Sequence, residues 1–264
     1  MGNELIIQQV LLIRERQKRV GTRKLWLMLR PFMEDHGLDL GRDALFDLLR
    51  SQGLLARTRK RKTPRTTFSD HWLRKYRNLI VGLSVTCPNR LWVSDITYIA
   101  LQVDFAYLSI VTDAYSRMIV GYYLHAKLVA EGCVRALEMA LAALPQAHEL
   151  IHHSDRGVQY CSAEYVKCLE REHVRISMTE SGDPRDNAIA ERVNGIMKQE
   201  FLEAKYENIN QASEAIKQAV QIYNRERLHS SVDMMTPFEA HQTSGELKRH
   251  WKKRQAKKPE AAAA

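Results

Sequence analysis

Trp92-Val93-Ser94-Asp95-Ile96-Thr97-Tyr98-Ile99 decides how the rest of the sequence is read. The stretch is rich in Val, Ile, Thr and Tyr, and its alternation predicts a strand with Val93, Asp95, Thr97 and Ile99 on one face. An aspartate inside a strand is costly. It has low β propensity, and a partly buried carboxylate needs a cation or several donors to offset its lost hydration. The plain alternative is an edge position pointing at solvent.

Around this strand, Leu91–Leu101, Phe105–Thr112 and Met118–Leu124 read as three antiparallel strands, with turns at Gln102-Val103-Asp104 and Asp113-Ala114-Tyr115-Ser116. Asp113, in the second turn, reads as structural. A helix over Ala130–Leu144 ends at Pro145, and Leu150–Ser154 makes a fourth, buried strand. Helix 162–172, strand Val174–Met178 and helices from Asp186 onwards follow, with helix Asn210–Arg227 turning Ile216, Val220 and Tyr223 inward. This order predicts an α/β fold: a mixed five-stranded sheet flanked by helices, with a right-handed crossover between strands four and five.

Upstream, three apolar-periodic runs predict short helices over 4–18, from Thr22 to His36-Gly37, and over 42–52 before Gly53. Pro31 is expected to bend or break the second. Three short helices with glycine-containing turns fit a helix-turn-helix, with a small assembly bundle as the alternative. We therefore expect a helical unit at 1–56, a basic linker at 57–86, a core at 87–240 and a basic tail at 241–264.

Charge follows that division. The chain has a formal net charge of +9, and its ends carry it: residues 1–86 hold 18 Lys/Arg against 8 Asp/Glu, and 247–264 hold 7 against 1. Residues 87–246 hold 15 against 22, a core of net −7. Basic ends suit a polyanion such as DNA, and an acidic middle suits cations. Arg57, Arg59, Lys60, Arg61 and Lys62 sit in an acid-free run that is either a solvated tether or a phosphate-gripping arm. Cys87, Cys133, Cys161 and Cys168 show no C-x-x-C spacing, which argues against structural zinc. No apolar run approaches the roughly 20 residues that span a bilayer, so a cytoplasmic protein without a membrane partner is expected.

Two more carboxylates stand out. Asp155 follows Ile151-His152-His153-Ser154 at the carboxyl end of the fourth strand, where α/β folds place ligands, although a turn or cap is an ordinary role for Asp beside Gly. Glu191 lies in a helix capped by Asp186 or Asn187, and a helical Glu is ordinarily a surface residue. Lys198, seven residues later, falls on the same helix face. Each of the three acids has a bland explanation alone. Together they suit two Mg²⁺ ions, which take hard oxygen ligands and can drive in-line attack on a phosphodiester without a covalent protein nucleophile.

Trp92-x-x-Asp95-x-Thr97-Tyr98, His153-Ser154-Asp155-Arg156-Gly157-x-Gln159-Tyr160 and Asp186-Asn187-Ala188-x-x-Glu191, with 35 residues between Asp155 and Glu191, resemble the DDE core of bacterial insertion-sequence transposases related to retroviral integrases. Tyr223-Asn224-x-x-Arg227-x-His229 and Thr236-Pro237 extend the resemblance, which is nearest to the second-frame (OrfB) product of two-frame elements. It implies an RNase H-like fold and an enzyme that cuts element ends and transfers the freed 3′-hydroxyl. Asp95, Asp155 and Glu191 would be the ligands of two Mg²⁺ or Mn²⁺ ions. Lys198 and Asn187 would contact DNA, and His153 would orient Asp155, whereas His152 reads as packed. It further implies double-stranded DNA (terminal inverted repeats and target) as substrate, a homo-oligomer in a synaptic complex, and a first-frame protein joined by frameshifting. One departure is that Thr179-Glu180-Ser181-Gly182-Asp183-Pro184-Arg185 is acidic where many relatives carry a basic residue and a tyrosine. The rivals are an RNase H-like nuclease that does not join ends, and a DNA-binding regulator with an inactive core.

Overall fold

The structure is a computed structural model that describes residues 2–56, 71–144, 149–180, 187–248 and 250. Three helices open it: α1 (Gly2–Arg16), α2 (Thr22–Asp35) and α3 (Arg42–Ser51). They close on their own apolar cluster, centred on Val10, Leu25, Leu29, Leu45 and Leu49, all fully buried. Gly37 and Gly53 end α2 and α3 at positive φ (61° and 66°), and the amides of Leu38 and Leu54 return to Met33 O and Leu49 O. That left-handed turn is nearly free of steric cost only for glycine. The expected break at Pro31 does not occur: α2 runs through it to Asp35. The buried stripe Leu25, Leu29 and Met33 spans the proline, so packing on both sides holds the helix together.

The core contains β1 (Leu91–Ala100), β2 (Phe105–Asp113), β3 (Ile119–His125), α4 (Ala130–Leu141), β4 (Ile151–Ser154), α5 (Ala163–Arg171), β5 (Arg175–Met178), α6 (Ala188–Ile196), a π-helical turn (Met197–Phe201), α7 (Ile209–Arg225) and α8 (Pro237–Ala240). The sheet order is β3-β2-β1-β4-β5; β1 to β3 are antiparallel, and β4 and β5 run parallel to β1. This is the mixed five-stranded sheet expected. Alternation divides its faces. Trp92 packs with Leu137 of α4 and Tyr165 of α5 on one side. Ile99, Leu108 and Ile110 pack with Val193 of α6 and Ile216, Val220 and Tyr223 of α7 on the other.

The expected linker and tail are both partly built into the core. In the linker, Leu73, Tyr76, Leu79, Ile80 and Val85 pack on the core clusters, Leu79 N donates to Ser177 Oγ (2.9 Å) and Met178 N donates to Arg77 O (3.4 Å). Apolar side chains spaced along a polar stretch make it a strap over β5. In the tail, Gly245 N reaches Thr86 O and His241 Nδ1 meets Ser116 Oγ, so the start of that segment is folded too. Asp113 is wholly buried: its Oδ1 accepts from the amides of Tyr115 and Ser116, and its Oδ2 from Asn89 N. Among the described residues no helix is long and apolar enough to cross a membrane.

Candidate active site

Parallel pairing of β1 and β4 ends at the register Val93↔His153; two residues on, Asp95 lies midway along β1 and Asp155 just past the carboxyl end of β4. They line a cleft with Ile96, Tyr98, Leu128, Gly157, Gln159 and Tyr160. Asp155 Oδ1 accepts from Gly157 N at 2.9 Å, and a Cβ on Gly157 would meet that oxygen at 3.0 Å, so glycine lets the turn close over the carboxylate. Asp95 accepts from Ile96 N and from Asn194 Nδ2, both at 2.9 Å. Burial first, then the charge of Asp155 and last that of Glu191, push the Asp95 carboxyl up to about 7 despite those two bonds. Among the described residues, Asp95 forms no ion pair.

Helix α6 lies along β1 by one polar stripe. Asn187 Nδ2 donates to Ser94 O (2.8 Å), Asn194 Nδ2 to Asp95, and Lys198 Nζ to Thr97 Oγ1 (3.1 Å). Glu191 stands four residues after Asn187 and three before Asn194, so it belongs to this stripe and faces the same strand. It is exposed, and among the described residues no three His, Cys, Asp or Glu stand close enough to hold a metal ion. The two aspartates converge, and the exposed glutamate acts on Asp95 through its charge.

Other expected site residues fall differently. Asn187 is 6% exposed and sits at the N-cap of α6, but its amide goes to β1 instead of capping the helix. The side chain expected to contact DNA is thus enclosed in this structure. His153 is fully buried with Nδ1 on Ser177 Oγ (2.8 Å), a bond to β5. His152 is packed as expected, between Ser94 Oγ and Tyr165 OH, and burial holds its imidazole down to about 3. Arg57, Arg59, Lys60, Arg61 and Lys62 lie outside the described residues. Asn194 was missed in the sequence; the available signal is a polar residue three places after Glu191 among Ala190, Val193 and Met197, all buried.

Residues 85–184 and 172–237 match family models that are both described as integrase core domain. The chain is 36% identical over 220 residues to the insertion element IS600 uncharacterized 31 kDa protein of Shigella sonnei, covering 82% of this chain and 79% of that protein. It is 32% identical over 227 residues to the putative transposase for insertion sequence element IS986/IS6110 of Mycobacterium tuberculosis, covering 83% and 80%. The chain belongs to the insertion-sequence transposases with a DDE-type integrase core. The transposase also shares its fold with a chain of the simian T-cell lymphotropic virus intasome solved in complex with PP2A regulatory subunit B56 gamma, at 18% identity and a TM-score of 0.51, covering 94% of this chain and 78% of that one. In the transposase, the cleft between the middle of β1 and the carboxyl end of β4 lies inside the first matched segment, and α6 with Glu191 inside the second.

Proposed function

We propose that this transposase cuts DNA at the ends of its element and joins the freed 3′-hydroxyl to another phosphodiester, with Asp95, Asp155 and Glu191 holding two Mg²⁺ or Mn²⁺ ions. The convergence of Asp95 and Asp155 carries the reading. Burial first, and then the charge of Asp155, push the Asp95 carboxyl to about 7; a divalent cation would relieve both, and the hard oxygens of the pair suit magnesium. When bound, such ions activate the attacking water or hydroxyl and stabilise the leaving oxygen.

The protein's own groups do the rest. Asn194 and the Ile96 amide fix the Asp95 carboxylate, and the Gly157 amide fixes that of Asp155. Glu191, on the stripe of α6 that faces β1, completes the set. Lys198, held beside the cleft by Thr97, supplies a cation for a terminal-repeat phosphate. Arg57, Arg59, Lys60, Arg61 and Lys62 grip the backbone of repeat or target DNA between the helical unit and the core. Two DNA ends and a target call for a homo-oligomer in a synaptic complex, and a first-frame protein fused by frameshifting would add end recognition. The reaction takes place in the cytoplasm, at the nucleoid.

Asp155→Asn in a Mg²⁺-dependent assay on end-containing DNA should abolish both cleavage and strand transfer. Full activity in that variant would sink the mechanism. Branched or circular joined products separate transposition from a nuclease that only cuts, and binding without cleavage in any divalent ion would favour an inactive regulator.

A further inference from the structure

The cationic corner between α1 and α2 contacts the core at the π turn that carries Lys198 and at the end of α7. Arg16 grips Glu226 with two nitrogens (Nε to Oε2 2.8 Å, NH2 to Oε1 2.5 Å), and Gln17 Nε2 donates to Glu226 O (3.0 Å). Lys18 pairs with Glu203 at 2.9 Å. Arg19 reaches deepest: its NH1 donates to the carbonyls of Gln199 (3.2 Å) and Leu202 (3.3 Å).

Those carbonyls end the π-helical turn Met197–Phe201, which Leu202 N closes on Met197 O. The last carbonyls of a helix lack intrahelical donors, and a cation at that end also suits the helix dipole. A π turn is short and rare, and it persists where its surroundings hold it. Here it is held from two sides, by Arg19 from the helical unit and by Arg227 on Glu200 (2.7 Å twice) from the end of α7. Between these braces, Lys198 projects from the same turn to Thr97, two residues along β1 from Asp95.

We propose that Arg19 is a positioning residue: it caps the π turn from the helical unit and so sets the reach of Lys198 into the cleft, coupling residues 2–56 to strand cleavage. The inference rests on the reading of the cleft given above. It assigns this corner a role in turnover rather than in gripping DNA.

The test uses the full chain. Arg19→Ala should lower the rate of Mg²⁺-dependent cleavage at saturating element-end DNA by about tenfold, the order expected when a positioned group drifts by under an ångström. The KM for that DNA should stay within about twofold, since Arg19 faces protein. Arg19→Lys, which keeps the charge and a donor, should recover part of the loss. Arg16→Glu should lower the rate in the same way, and Glu226→Arg in that background should restore it. Amide hydrogen exchange of the DNA-free protein at residues 197–202 should rise in Arg19→Ala and Arg16→Glu while the sheet amides stay protected. A raised KM with unchanged turnover and exchange would overturn the proposal, because the corner would then be only a DNA grip. Global loss of protection would overturn it as well, leaving Arg19 a stability residue. Faster local exchange with no effect of Lys198→Ala on turnover would instead refute the reading of the cleft and leave the brace intact.

Discussion

Two half-buried carboxylates, Glu200 and Asp95, meet opposite fates. Burial alone would push both up. At Glu200, hydrogen bonds and charge from Arg227, with help from Lys24, overcome it and hold the carboxyl below its ordinary value. At Asp95 no cation stands in ion-pair contact among the described residues, although Lys198 feels its charge; burial, then Asp155 and Glu191, raise the carboxyl to about 7. One acid is neutralised by the protein and holds the fold together; the other is crowded by its own sign in a cleft. An acid whose countercharge is built in is architecture, whereas one left among like charges marks the place where a cation is to be supplied.

The largest effect that should sharpen this contrast is at the neutralised end. Arg227 is 2% exposed, and Arg227→Met would strand Glu200 beside the π turn with little compensation. We expect a loss of roughly 3–5 kcal/mol in denaturant unfolding, the cost of breaking a buried pair from one side. A loss below about 1 kcal/mol, the usual worth of a surface pair, would make the two carboxylates alike and break the comparison.

Next comes Asn194→Ala, which removes the amide that orients Asp95. Turnover should fall by roughly 10- to 100-fold, the range for groups that orient a metal-binding carboxylate, with stability changed far less. Steady-state kinetics beside a thermal melt decide it; unchanged turnover would show that Asp95 needs no such support.

The smallest effect concerns Lys24, 3.9 Å from Glu200, whose amine is held down to about 7, mainly by burial and then by the charge of Arg227. Below pH 7 the lysine is charged in both the folded and unfolded chain, and the cost of burying that charge is complete. Between pH 7 and 10.5 the folded chain releases a proton that the unfolded chain keeps, so stability rises with pH. Lys24→Met should therefore stabilise the protein at pH 6 by on the order of 1 kcal/mol, a gain that shrinks towards pH 10. A gain that grew with pH would contradict the assignment.

Much of this was legible in the sequence, for a physical reason. Strands announced themselves by alternation around Asp95 and helices by the spacing of residues such as Leu25 and Leu29, because burial imposes those periods directly on the chain. The aspartates were visible because a carboxylate within or at the end of an apolar strand needs an explanation. Pro31 was misjudged: a local rule was outweighed by Leu25, Leu29 and Met33 packing across it. The corner at Arg16–Arg19 was counted only within the net charge of residues 1–86, because its partners Glu203 and Glu226 lie some 185 and 210 residues away, a distance no local pattern reports. The packed strap at 71–86 and the burial of Asn187 were hidden for the same reason.

The central claim, that the crowded carboxylates are a cation site, is tested most directly by Mn²⁺ binding to the full chain on element-end DNA, followed by electron paramagnetic resonance. The wild type should bind the ion, and Asp95→Asn, Asp155→Asn and Glu191→Gln should each lose most of that binding while remaining folded. Undiminished Mn²⁺ binding in Asp155→Asn would contradict the account.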